Sequence, residues 1–178
     1  MLRSKSALAV ALFCSVFVFS RNSPAADPKP ADQKPAAPVN TYAIPIGAGI
    51  GLEAARHAAS AAAAEAKKNN WHMAIAVVDP AGTLVYYEKM DDTQNGSANV
   101  AIDKARSAAL YKRSTKAFQD AVAGGGVGVR ILGLQGAVPI EGGLPLMSGG
   151  KLVGAIGVSG DLSEHDGQCA AAAVATMK

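Results

Sequence analysis

Three histidines, one stretch of cations and several glycine pairs are the parts of this 178-residue chain whose types and spacing offer chemistry. His57 falls in an alanine-rich segment, His72 lies between Trp71 and Met73, and His165 sits between Glu164 and Asp166. There is no H-x-x-H and no C-x-x-C, so no local metal-binding motif is present. "KARSAALYKRSTK" gathers Lys104, Arg106, Lys112, Arg113 and Lys116 against a single nearby acid, Asp103. Such a stretch is either a solvated helix face or a binder of carboxylates, whose geometry the arginine fork matches. Ser159 in "VSGD" stands outside the G-x-S-x-G pattern that exposes a nucleophilic serine. Asp79, Glu141 and Asp161 adjoin turns, where carboxylates commonly accept from backbone N–H groups. Neither glycine cluster is a phosphate loop: "GGGVGV" lacks the third glycine of G-x-G-x-x-G, and Gly150-Lys151 is followed by Leu152 where Ser or Thr is needed.

The elements that must position these residues follow from periodicity. "GLEAARHAASAAAAEAKKNN" predicts a helix, with an acid at its start, lysines at its end and alanine, the best helix former, throughout. "MAIAVVDPAGTLVYYEKM" predicts a β-hairpin turning at "DPAG". A long helix and a shorter one are expected from Ser97 to Gly124, broken near Arg113-Ser114. Strands near Leu144–Met147 and Leu152–Val158 meet at "SGG", and a last helix follows, with Ser163 as its cap. Hairpins separated by helices cannot make a parallel sheet, so the expected class is α+β, one antiparallel sheet with helices packed on it.

Residues 1–25 read as a secretory signal, with the basic "MLRSK", the apolar "ALAVALFCSVFVF" and small residues at Ser23 and Ala25 for cleavage. Residues 26–40, rich in Pro, Ala and Lys, read as an extended tether, and residues 41–178 as one domain. The net charge of +3 belongs to the leader: the 17 Lys and Arg less Arg3, Lys5 and Arg21 leave 14, against 14 acids. A neutral domain of this kind argues against nucleic acid as a partner, and no stable membrane insertion is expected once the leader is removed. With the leader gone only Cys169 remains, so no internal disulfide supports the fold.

"LEAARHAASAAAAEAKKNNWHMAIAVVDPAGTLVYYEKMD", "AIDKARSAA", "GGLPLMSGGKLVGAIGVSG" and "SEHDGQCA" resemble, as a set, the GlcG/HbpS-type haem-binding family, from Gly51 to Met177. The resemblance implies an α–β–α sandwich with a central antiparallel sheet of about five strands, homo-oligomeric assembly, and haem b or a related tetrapyrrole as ligand. Haem asks for an axial ligand, apolar walls and cations near its propionates. His57 has small helical neighbours in Ala54, Ser60 and Ala61. Its imidazole is either a ligand to iron or part of a close contact between subunits. Thr115 matches the position after the family's basic helix that contacts haem iron, although Ser114 stands where the family often carries Pro. By the same resemblance Arg113, with Lys112 and Lys116, takes the carboxylates. His72 reads first as a surface or edge histidine, and His165 has no assigned role. The expected function is an exported haem-binding protein serving haem sensing, storage or iron handling. The alternatives are a haem-degrading or other small-molecule enzyme on the same fold, and a structural oligomer with incidental haem affinity.

Overall fold

The computed structural model describes residues 40–177; the leader, and the tether up to residue 39, lie outside the described residues. Four helices, α1 (Leu52–Lys68), α2 (Ser97–Tyr111), α3 (Thr115–Ala123) and α4 (Ser163–Val174), accompany four strands. These are β1 (Ala74–Val78), β2 (Leu84–Lys89), β3 (Gly143–Ser148) and β4 (Lys151–Ser159), in one antiparallel sheet ordered β2-β1-β4-β3. Helices α1 and α4 cover one face and α2 the other, which makes the α–β–α sandwich.

Both hairpins form where turn residues place them. Asp79 Oδ1 accepts from Ala81 N and Thr83 N, each at 2.9 Å, and Gly82 supplies φ +83°. Gly149 (φ +54°) and Gly150 (φ +73°) make a two-residue turn of the kind whose twist suits a hairpin, between the paired Ser148 and Lys151. The sheet has four strands where about five were expected. The remaining position is reduced to one parallel bridge between Ile46 and Leu152, where Leu152 N donates to Pro45 O at 2.9 Å and Gly47 N to Leu152 O at 2.8 Å. Pro45 has no N–H to extend the ladder, and β1 ends opposite Ala155, so this segment fills only the last rung. Ser163 opens α4 but does not cap it: Leu162 holds the cap position, with no side-chain bond.

The central strand β1 is buried along its whole length. Its alternation sends Ile75 and Val77, with Leu146, Ile156 and Val158, toward α1 and α4, and Ala74, Ala76 and Val78 toward α2. The helices answer with alanine: Ala55, Ala58, Ala59, Ala62 and Ala66 of α1 and Ala101, Ala105 and Ala108 of α2 have no exposed surface. A methyl group contributes only about 0.8 kcal/mol on burial, so these contacts depend on closeness more than on bulk.

Cys169 is buried in α4, and burial first, then the charges of Asp166, Glu65 and Asp161, pushes its thiol up to about 12. Alkylation needs the thiolate. In the native chain at pH 8 the peptide carrying Cys169 should therefore stay unmodified by iodoacetamide, and react fully in denaturant. Rapid native labelling of that peptide would overturn the assignment.

Candidate functional site

The cation stretch divides into three environments. Lys104 was expected on a solvated face or at a ligand, but it is fully buried. Its ammonium donates to Asp166 Oδ2 at 2.7 Å and to Val158 O at 3.1 Å, so that a side chain from α2 is paired with one from α4, past the start of edge strand β3. Burial pulls the lysine's pKa down and the acid's up, with mutual attraction opposing both shifts. Gly142 (φ +127°) makes the passage, since a Cβ there would meet Lys104 Nζ at 2.8 Å and Val158 O at 2.5 Å. One available signal foretold the burial: Lys104 lies three residues after Ala101 and four before Ala108, on the apolar stripe of α2.

Thr115, buried at the start of α3, accepts from Gly143 N at 2.9 Å and lies 3.5 Å from Gly143 O, so its hydroxyl tethers α3 to β3. Lys112 closes α2 in the left-handed conformation (φ 52°) and donates to Ile44 O at 2.8 Å. Arg113 donates to Thr41 Oγ1 at 3.0 Å and to Tyr111 O at 3.2 Å, and its guanidinium stands 5.3 Å from the Tyr42 ring and 5.4 Å from the Phe118 ring. Lys112 and Arg113 thus grip the segment Thr41–Ile44, around a small concavity of about 110 Å³ shared with Leu110 and Tyr111. Lys116 is exposed and pairs with Asp120 at 2.8 Å, a contact that raises its pKa. The structure does not bring these cations to one open face: each donates to a partner within the chain.

The histidines also separate. His57 is exposed on α1 and lines neither concavity described here. His165 stacks on Trp71, ring centroids 4.0 Å apart and planes 11° from parallel; its Nδ1 lies 3.4 Å from Asp161 Oδ1 without making a hydrogen bond. His72 lies at the larger concavity, about 380 Å³, between α1 (Ala63, Lys67), the approach to β1, and the end of β2 with the two residues after it (Glu88 to Asp91). Its Nδ1 is 2.8 Å from Asp91 O. Met90 N donates to Met73 O at 3.0 Å, and Thr93 Oγ1 to Met90 O at 2.8 Å; these bonds set the path of the chain through Asp91. Glu88 is turned to accept from the Tyr86 hydroxyl at 2.8 Å. A cavity of this volume is in the range of small-molecule sites. It offers an imidazole, a thioether-bearing wall, two ammonium groups and the two carboxylates of Glu88 and Asp91. The sequence signal for it was weak, because Lys67, His72 and Met90 come together only when the end of β2 folds back beside α1.

Ser159 is no nucleophile candidate: it is buried, with its Oγ 3.3 Å from Ser97 Oγ. Among the described residues no group of three or more His, Cys, Asp or Glu side chains is arranged to hold a metal ion, and no helix is long and apolar enough to cross a membrane.

Comparison with known proteins places this arrangement. Residues 50–175 match the family model described as "Haem degrading protein HbpS-like". Protein GlcG of Escherichia coli K12 is 40% identical over 95 residues, covering 53% of this chain and 69% of that protein. The crystal structure of HbpS superposes with a TM-score of 0.68 at 29% identity, covering 74% of this chain and 92% of that one. A crystal structure titled as a PduOC:heme complex gives 0.66 at 26% identity, with 73% and 96% covered. Fold, motif order and the extent of the match agree, and the chain belongs to the HbpS-like family.

Proposed function

We propose that this chain is an exported protein that binds haem b or a related tetrapyrrole and serves in haem sensing, storage or iron handling. The observation that carries the reading is the larger concavity, where His72, Lys67, Lys89 and Met90 meet in a chain of this family. Haem, when bound, supplies a redox-active iron and two carboxylates, and this site offers an imidazole and two cations beside the carboxylates of Glu88 and Asp91. Lys67 and Lys89 would hold the carboxylates, and Ala63 and Met90 line the wall. Export rests on the leader of residues 1–25. Homo-oligomerisation belongs to the same reading and is supported by the exposed apolar side chains of Val127, Val129, Leu132 and Leu134 in and just after the 3₁₀ turn Gly126–Gly133.

Hemin titration of chain recovered from the periplasm or medium tests this. A saturable Soret shift of fixed stoichiometry, on protein whose N-terminus lies near Ala26, is expected. Unsaturable uptake would reduce the protein to a structural oligomer with incidental affinity. The description of the matching family favours a second reading, haem breakdown. Bleaching of the bound spectrum with iron release, on adding reductant or peroxide, would establish it in place of simple carriage.

A further inference from the structure

We infer that Asn95 is a site of self-modification: the backbone nitrogen of Gly96 attacks its side chain, and the residue is converted to aspartate and isoaspartate. The chemistry starts from the dipeptide. In "TQNGSAN" the residue after Asn95 is glycine, which puts no Cβ beside the attacking nitrogen and leaves the peptide free to rotate. Both residues are exposed in the turn before α2, and nothing lies within 4 Å of the Cβ position of Gly96. The nitrogen forms a bond to Asn95 Cγ, the Cγ–Nδ2 bond breaks, and ammonia leaves with the displaced amide proton. Water then opens the cyclic imide. Attack at Cγ gives aspartate, and attack at the backbone carbonyl gives isoaspartate, in which the chain runs through Cβ and Cγ. Water is consumed and ammonia released, so the step needs no oxidant, reductant or cofactor.

Turning the Gly96 nitrogen toward Cγ opens two backbone bonds, Ser97 N to Gln94 O at 3.2 Å and Ala98 N to Asn95 O at 3.3 Å. Both are long, and they lie at a helix start where Gly96, in the cap position, supplies no side-chain bond, so this end frays readily. The other described asparagines lack the combination. Asn40 precedes Thr41, and its Oδ1 accepts from Tyr42 N. Asn69 Nδ2 donates to Glu65 O at 2.8 Å. Asn70 precedes Trp71, and Asn99 lies inside α2 before Val100. Asp166-Gly167 has the glycine, but Asp166 is buried in α4 with Lys104 on its carboxylate. The two products differ in consequence. The first turn of α2 carries no acid, so an aspartate at position 95 meets the positive end of the helix dipole. Isoaspartate instead adds a backbone carbon two residues before Ser97, whose Oγ lies 3.3 Å from Ser159 Oγ at the end of β4.

Folded parent and Gly96→Ala are incubated at mildly alkaline pH in heavy-oxygen water, and the tryptic peptide 90–104 is followed by mass spectrometry. Gly96 has φ −60° and ψ −30° with open space at its Cβ position, so Gly96→Ala should keep the parent's circular dichroism. In the parent the peptide should take up heavy oxygen and resolve into two isomers, isoaspartate in excess, with fragment ions placing the change at position 95 and not at Asn99. In Gly96→Ala the change should be at least about tenfold slower, because the methyl group crowds the nitrogen and restricts rotation. A parent peptide that stays unmodified while the chain is folded, whatever it does in denaturant, would show that the fold protects Asn95. Equal rates in parent and Gly96→Ala would exclude attack by the Gly96 nitrogen. Either result overturns the inference.

Discussion

Lys104→Met is expected to destabilise the domain by about 3–5 kcal/mol, the cost of leaving one member of a buried ion pair uncompensated. The double variant Lys104→Met with Asp166→Leu should recover most of that loss, because two apolar side chains need no partner. Urea denaturation of the two variants measures both values, and a single variant within about 1 kcal/mol of the parent would sink the argument. pH separates this cause from simple loss of packing. In Lys104→Met, burial still holds Asp166 above its unfolded value of 3.8, and the lysine that opposed that shift is gone. The folded variant then binds a proton more tightly than the unfolded chain, so its deficit is largest at neutral pH and shrinks as pH falls through the raised pKa. A deficit independent of pH would mean that the carboxylate is not what the lysine offsets.

Gly157→Ala should cost about 3 kcal/mol, at the upper end for overpacking, because the new methyl group meets backbone and not a flexible side chain. The added Cβ would collide with Ala101 O and stand 2.5 Å from Ala105 N, so α2 would have to lift off β4. Gly133→Ala is the control, since nothing lies within 4 Å of its Cβ position. Thermal unfolding of both variants decides it: equal midpoints would show that α2 and β4 are not in the contact described. The same lifting would disturb Lys104, which leaves α2 one turn beyond Ala101, so the effects of Gly157→Ala and Lys104→Met should not add.

The sequence by itself determined the elements and their kind. The alanine-rich stretch with an acid first and lysines last has the strongest local helix preference, and "DPAG" and "SGG" turn the chain through local geometry. Antiparallel pairing of the two hairpins followed from the same local signals. The number of strands did not, because the contribution of Ile46 depends on where β1 stops relative to β4. The candidate site was legible only in its residue types. Lys104, Lys112, Arg113 and Lys116 are near neighbours in sequence, yet one is paired inside the core, two grip the segment Thr41–Ile44, and one pairs with Asp120 on its own helix. Helical rotation and the break at Ser114 send them apart. His72 shows the converse: its partner carbonyl is 19 residues away, and only the return of β2 beside β1 brings Asp91 O to its Nδ1. Local propensity is a short-range property and can be read from neighbours, whereas the tautomer of an imidazole and the partner of a cation depend on groups that only the folded chain brings within hydrogen-bond distance.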